Sequence, residues 1–322
     1  MLDLVIIGIG PAGLTASIYA SRYKLSHVLA GQSLGGMIAL AHKVENYPGF
    51  TSVTGIELSQ RMEEQVKSLG GEIVKTTVGR IELMDPPSPE APTRQRGFRV
   101  FGENGQSWEA KTVILANGSQ RKQLNVPGEK EYLGKGVSYC TTCDAPFFKG
   151  KTVVLVGGSD SAVSGAIHAA EFAEKVYLIY RGEQLRAEPV WIEDALKNPK
   201  IEILYKTNVI KINGEGKVTG VELDQDYQGK KELAVDGVFV EIGGVPGSSL
   251  VAALGVEVDQ ANYIKVNDDM STNIPGFFSA GDLTDKAQVL VQMTTACAQG
   301  AIASASVYKF LKGQRPAQIK GI

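Results

Sequence analysis

Residues 4–13 read Leu-Val-Ile-Ile-Gly-Ile-Gly-Pro-Ala-Gly, and residues 151–162 read Lys-Thr-Val-Val-Leu-Val-Gly-Gly-Ser-Asp-Ser-Ala. Each is a short apolar run that stops at glycine and continues into small residues. That is the pattern of a buried parallel strand turning sharply into a helix. A helix from about Ala12 to Tyr23 and a strand at His27–Leu29 complete the first βαβ opening, and a helix through about Phe172 with a strand at Val176–Tyr180 completes the second. The expected fold class is therefore α/β, with two three-layer nucleotide-binding units.

Outward from these two stretches, Ile56–Leu69 has helical amphipathicity and stops at Gly70-Gly71. Residues 85–97 are proline-rich and polar, and are expected to form a solvated loop between two antiparallel strands. Val113–Ala116 reads as a strand ending in Asn117-Gly118. The strand Asp236–Ile242 leads into Gly243-Gly244-Val245-Pro246, where the chain is expected to cross back to the first unit. From Phe277 the order is strand, Gly281-Asp282 turn, and a long helix from about Val291 to Leu311.

The 322 residues suit two domains, and 43% hydrophobic with 21% charged residues is a globular composition. A formal net charge of −2, with no long basic run, gives nucleic acid no electrostatic footprint. No stretch of about eighteen uninterrupted apolar residues offers a membrane span. The N-terminal run lacks a basic start, carries Asp3, and is broken by Gly8, Gly10 and Pro11, so it reads as a first strand rather than a signal sequence. A cytoplasmic location follows as the expectation. Three cysteines there make no disulfide framework, and a close pair points to catalysis or metal binding.

Gly8-Ile9-Gly10-Pro11-Ala12-Gly13 is a G-x-G-x-x-G between a strand and a helix, where the glycines allow a tight turn and backbone approach to a pyrophosphate. The helix start adds free N–H groups and a positive dipole. The acid that customarily follows the second strand is missing, leaving Gln32 or Ser33 to hold a ribose. At the far end, Gly281-Asp282 also follows a strand, so Asp282 can face a polyol lying along the first unit. A long ligand explains both segments, and FAD is long enough.

Tyr139-Cys140-Thr141-Thr142-Cys143-Asp144 carries a C-x-x-C spacing that lets two sulfurs close a small ring. Asp144 stands where it can give a proton to a leaving thiolate. A zinc site lacks further paired ligands: only Cys297, His27, His42 and His168 remain, so no metal is expected. Cys297 reads as a small buried hydrophobe and the histidines form no acid–base constellation.

These segments resemble the low-molecular-weight thioredoxin reductase family from end to end. The carriers are residues 8–22, Gly35-Gly36-Met37, 44–50, 125–148, 198–223 and 275–283. The resemblance implies a discontinuous FAD domain at 1–120 and 244–322, with a pyridine-nucleotide-type domain at 121–243 inserted into it. It implies a homodimer, and thioredoxin or a thioredoxin-like protein as substrate. It further implies that Cys143 faces the flavin, Cys140 attacks the substrate disulfide and Asp144 is the acid. Asn46, Asp282 and Gln292 would hold the isoalloxazine and ribityl portions. The flavin set also takes in Ala116, Gly118 and Met293.

The chain departs from the family mainly in the second unit. Where the family has G-G-G-x-x-A, Ser159 follows Gly157-Gly158. Its H-R-R-x-x-x-R phosphate clamp is Tyr180-Arg181-Gly182-Glu183-Gln184-Leu185-Arg186, and Val291 replaces an arginine. Gly157, Asp160, Ser161, Arg181 and Arg186 remain as candidate nucleotide ligands. NADPH is therefore expected to reduce this flavin poorly, with reduced ferredoxin or another flavoprotein as the alternative donor. A rival of another class is a non-enzymatic flavin-binding redox sensor.

Overall fold

The structure is a computed structural model, and it describes residues 1–85 and 96–313. The proline-rich segment is therefore largely outside the described residues. By internal contacts the chain forms two compact units, Met1–Gln120 with the chain from Pro246 onward, and Arg121–Val245.

In the first unit, Leu2–Ile7 lies between the parallel strands His27–Gly31 and Ser107–Leu115, with Glu72–Lys75 beyond the former. Phe277–Ser279 joins Ser107–Leu115 in parallel, so the late strand returns to the sheet that the early chain began. Val78–Leu83 and Phe98–Gly102 form the antiparallel pair expected around the proline-rich segment. Leu4, Val5 and Ile6 are fully buried, as a strand covered on both faces requires. Helix Pro11–Arg22 starts with proline at its first position, where the missing N–H has no partner to lose. Helix Gly55–Ser68 starts at Thr54, whose Oγ1 accepts from the Glu57 N–H at 3.2 Å. The last helix is Met293–Leu311. It starts two residues later than the sequence reading, because Gln292 is extended and Val291 is exposed loop.

The second unit is built on the parallel order Ile201–Tyr205, Lys175–Tyr180, Thr152–Val156, Gly237–Val240 and Val137–Ser138. Alternation along Thr152–Val156 sorts its side chains. Val153 and Leu155 pack with Ala162, Val163 and Ala166 of helix Asp160–Phe172. Val154 and Val156 pack with Val209, Ile212 and Val221 of a three-stranded antiparallel sheet, Val209–Gly214, Val218–Tyr227 and Lys230–Ala234. Helix, parallel sheet and antiparallel sheet make three layers. The sequence reading did not identify that antiparallel sheet or the helix Pro189–Lys197. Among the described residues, no helix is long and apolar enough to cross a membrane.

Candidate active site

Three features matter: the first glycine turn, the dithiol, and the second glycine turn. At the first, Gly8 has φ +110°, and a side chain there would begin 2.3 Å from the Ala116 oxygen. Ala116 is bound there through its N–H to the Ile7 carbonyl at 2.7 Å. Gly10 precedes the helix in extended backbone (φ −85°, ψ −177°). A Cβ on Gly10 would meet only the Gly35 oxygen, at 3.9 Å, among the described residues. The protein therefore does not need glycine at this position for its own packing. A ligand that approaches the backbone does.

The other expected flavin residues gather around this turn. Gly35 donates its N–H to the Ile9 carbonyl at 2.8 Å, and Gly36 lies over Gly10. Met37 is partly exposed on the short helix Gly36–Leu40. Gly118 has φ +63° with open space before it, while Gly281 sits against Ala12. Asn46 and Gln292, far apart in sequence, meet through an Nδ2–Oε1 contact of 3.3 Å, with Met293 buried next to Gln292. Burial alone pushes the Asp282 carboxyl up, and no group among the described residues donates to that carboxylate. A half-buried acceptor without a donor, beside a turn open at its backbone, fits the ribityl and pyrophosphate parts of FAD.

Gln299 went unnoticed in the sequence. It is buried, and its Oε1 accepts from the Gly281 N–H at 2.8 Å and the Thr284 hydroxyl at 2.9 Å, fixing the loop that carries Asp282. Cys297 is a free thiol packed against the core, its pKa raised by burial, as expected of an inert cysteine. His27 is held between the Ser17 hydroxyl at 2.8 Å and the Leu25 carbonyl at 3.0 Å, which makes it a structural residue.

In the second unit, Cys140 and Cys143 form a disulfide, with Sγ–Sγ 2.06 Å and Cα–Cα 5.3 Å. Cys140 caps the short helix Thr141–Asp144, and its Sγ accepts from the Cys143 N–H at 3.2 Å. Cys143 is exposed and Cys140 half-buried, so a macromolecular disulfide can reach the pair. Asp144 is half-buried within the same turn. Phe147, three residues on, is 81% exposed.

The second glycine turn repeats the first in backbone but not in furnishing. Gly157 has φ +147° and would clash with the Glu241 oxygen at 2.3 Å. Ser159 occupies the position of Gly10 with nearly the same backbone (φ −99°, ψ −179°), and its hydroxyl makes no cap hydrogen bond. The Tyr180 ring lies between Gly158 and Gly182: a side chain on either would begin 2.4 or 2.6 Å from ring carbons. Loop 182–188 is tied to the turn by the Arg186 N–H to the Gly158 carbonyl and by the Glu188 N–H to Asp160 Oδ1, both at 2.7 Å. Ser161, Arg181 and Arg186 are exposed, and Glu183 pairs with Lys206 at 2.8 Å.

Known proteins share this fold. The family model described as pyridine nucleotide-disulphide oxidoreductase matches residues 2–303. A thioredoxin reductase of Bacillus subtilis is 40% identical over 313 residues, covering 96% of this chain and 95% of its own. The crystal structure of Lactococcus lactis thioredoxin reductase matches with TM-score 0.89 and 34% identity, over 97% of this chain and 100% of that one. A ferredoxin-flavin thioredoxin reductase from Clostridium acetobutylicum matches with TM-score 0.51 and 33% identity, over 97% and 99%. The chain belongs to the pyridine nucleotide-disulphide oxidoreductase family and, within it, to the thioredoxin reductases.

Proposed function

We propose that the chain is an FAD-dependent oxidoreductase that reduces thioredoxin or a thioredoxin-like protein through Cys140 and Cys143. The observation that carries this reading is the Cys140–Cys143 disulfide, reachable from solvent and set beside Asp144. Gly8, Gly10, Pro11, Ala12, Gly13, Gly35, Gly36, Asn46, Asp282 and Gln292 would hold FAD, which when bound would supply two-electron redox chemistry to the disulfide. The Cys140 thiolate then attacks the substrate disulfide and expels one substrate thiolate, which takes a proton from Asp144. Cys143 attacks the resulting mixed disulfide at Cys140, which releases the second substrate thiol and re-forms the Cys140–Cys143 bond. Each cycle moves two electrons and two protons to the substrate.

Cys143→Ser tests the order of attack. It should accumulate a covalent complex of Cys140 with a thioredoxin whose resolving cysteine is removed and whose attacking cysteine is carried as an aryl mixed disulfide, the aryl thiolate leaving as Cys140 attacks; the complex is seen as a mass shift lost on adding dithiothreitol. Cys140→Ser should form no such complex. If both variants trap substrate equally, or neither does while the wild type turns over, the roles are misassigned. By resemblance the working form is a homodimer, which light scattering of the flavin-loaded protein measures directly.

A second reading changes only the donor. The Tyr180 ring occupies the end of the second strand, where a dinucleotide's ribose is usually read. Gly182 supplies no guanidinium, and Ser159 adds a hydroxymethyl group at the pyrophosphate turn. These observations favour reduced ferredoxin over NADPH, and one relative named above is a ferredoxin-flavin enzyme. Anaerobic mixing with NADPH, NADH and reduced ferredoxin, following flavin absorbance, decides it. Rapid bleaching by micromolar NADPH rejects the second reading.

A further inference from the structure

Two carboxylates of the second unit play no part in the scheme above, although both are among its most deeply buried polar groups: Glu129 is 1% exposed and Glu241 4%. Each reaches one of the two residues flanking Cys140. Glu129 accepts from the Tyr139 hydroxyl at 2.8 Å and from the backbone N–H groups of Leu124 and Asn125 at 2.8 and 2.6 Å. Glu241 accepts from the Thr141 hydroxyl at 3.1 Å and is ion-paired with Arg121. Burial, with Glu129 as acceptor, pushes the Tyr139 phenol up to about 12, so it stays a donor at neutral pH. Burial likewise pushes the Glu241 carboxyl up, and Arg121 draws it back down. A buried carboxylate is unfavourable unless fully partnered, and each of these gives one of its bonds to a neighbour of the same cysteine.

We infer that Glu129 and Glu241 form a clamp that positions Cys140, acting through Tyr139 on one side and Thr141 on the other. The inference rests on reading Cys140–Cys143 as the reacting pair. The clamp fixes the backbone from which the Cys140 sulfur meets the Cys143 N–H at 3.2 Å. That hydrogen bond is stronger when the sulfur is a thiolate than when it is part of a disulfide, so it favours the reduced state. Reduction takes two electrons and one proton to give a Cys140 thiolate and a Cys143 thiol. Loosening either flank weakens the bond and makes the pair harder to reduce. Arg121 belongs to the same network: it neutralises Glu241 without touching the dithiol, and is a positioning residue.

The test uses the full-length, flavin-loaded protein with Thr141→Val, Thr141→Ser and Tyr139→Phe. Thr141→Val is nearly isosteric and removes only the hydroxyl, while Thr141→Ser keeps it. At a fixed ratio of reduced to oxidised dithiothreitol, alkylation and mass spectrometry read the oxidised fraction of the Cys140–Cys143 pair. That fraction should rise in Thr141→Val and Tyr139→Phe and return to the wild-type value in Thr141→Ser. Turnover of a thioredoxin disulfide should fall about two- to tenfold in the first two, with KM unchanged, as loss of one neutral-donor hydrogen bond allows. If those variants melt earlier but keep the wild-type oxidised fraction and turnover, the glutamates only hold the fold and the inference is overturned. The dithiothreitol measurement needs no protein substrate. A wild-type chain that reduces no thioredoxin would therefore defeat the proposed function while the clamp is still read.

Discussion

The two glycine turns follow the same backbone plan and differ as surfaces. Gly8 and Gly157 both adopt positive φ, and both would put a side chain 2.3 Å from a carbonyl oxygen of the neighbouring strand end. Two residues on, Gly10 and Ser159 share extended backbone, yet one offers bare peptide and the other a hydroxymethyl group. Fold requirements therefore account for glycine at 8 and 157 but not at 10. A glycine motif mixes the demands of fold and ligand, and only the position where protein sterics are slack reports on what binds.

The largest expected effect tests the shared half of that comparison. Gly8→Ala and Gly157→Ala should each destabilise their unit by about 3 kcal/mol, from positive-φ strain plus a carbonyl clash. Urea unfolding of each variant measures it, and a loss under about 1 kcal/mol at either site breaks the equivalence.

The second separates the turns by copying one into the other. Gly10→Ser should leave urea stability of the flavin-free protein close to wild type, since a Cβ there meets only the Gly35 oxygen at 3.9 Å. Flavin affinity should nonetheless fall about ten- to a hundredfold, the loss of a charge-assisted phosphate contact. Undiminished flavin content at equal free FAD would show that Gly10 does not face the cofactor.

The reverse exchange is smaller. Ser159→Gly alone leaves the Tyr180 ring in place, and Gly182→Arg alone would drive a side chain into that ring. Ser159→Gly, Tyr180→His and Gly182→Arg together should raise NADPH affinity about tenfold, one phosphate contact regained. Stopped-flow flavin reduction reads this. No gain would place the obstacle outside the turn.

The smallest effect concerns the flavin-free state. Burial holds the Asp282 carboxyl above its ordinary range, so its folded pKa exceeds its unfolded one. The ionised group then opposes folding above the folded pKa, and the penalty disappears as pH falls below the unfolded value. Flavin-free Asp282→Asn should melt slightly above wild type at neutral pH and at the same temperature near pH 3. A variant that melts earlier at neutral pH would mean the carboxylate has a partner that stabilises the empty protein.

The strand–turn–helix openings, the dithiol and Asp282 were legible because each depends on local spacing: apolar runs, glycines and a C-x-x-C. The contact of Asn46 with Gln292 was anticipated only as shared flavin binding, and their direct bond appears in three dimensions. Glu129, Glu241 and Gln299 were not anticipated, because an isolated acid or amide in sequence does not reveal that its partners are a hydroxyl and backbone N–H groups far along the chain. Tyr180 read as a lost histidine, whereas its packing between Gly158 and Gly182 makes it a wall of the turn. The helix expected from Val291 begins at Met293, since an apolar run does not distinguish exposed loop from a first helical turn.

The return of strand Phe277–Ser279 to the sheet begun at Leu2 has a consequence for the order in which the molecule is made. Helix Met293–Leu311 lies so close on helix Pro11–Arg22 that a side chain at Gly300 would begin 2.1 Å from the Ala12 oxygen. The first unit therefore cannot close until the ribosome has delivered residues beyond 300. The second unit is contiguous from Arg121 to Val245 and is complete long before. The chain begun first is expected to mature last, its early sheet waiting for strand Phe277–Ser279 and the last helix while the later unit folds. Pulse proteolysis of ribosome-stalled chains should show residues 121–245 protected first, and protection of residues 1–120 before residue 300 emerges would refute that order.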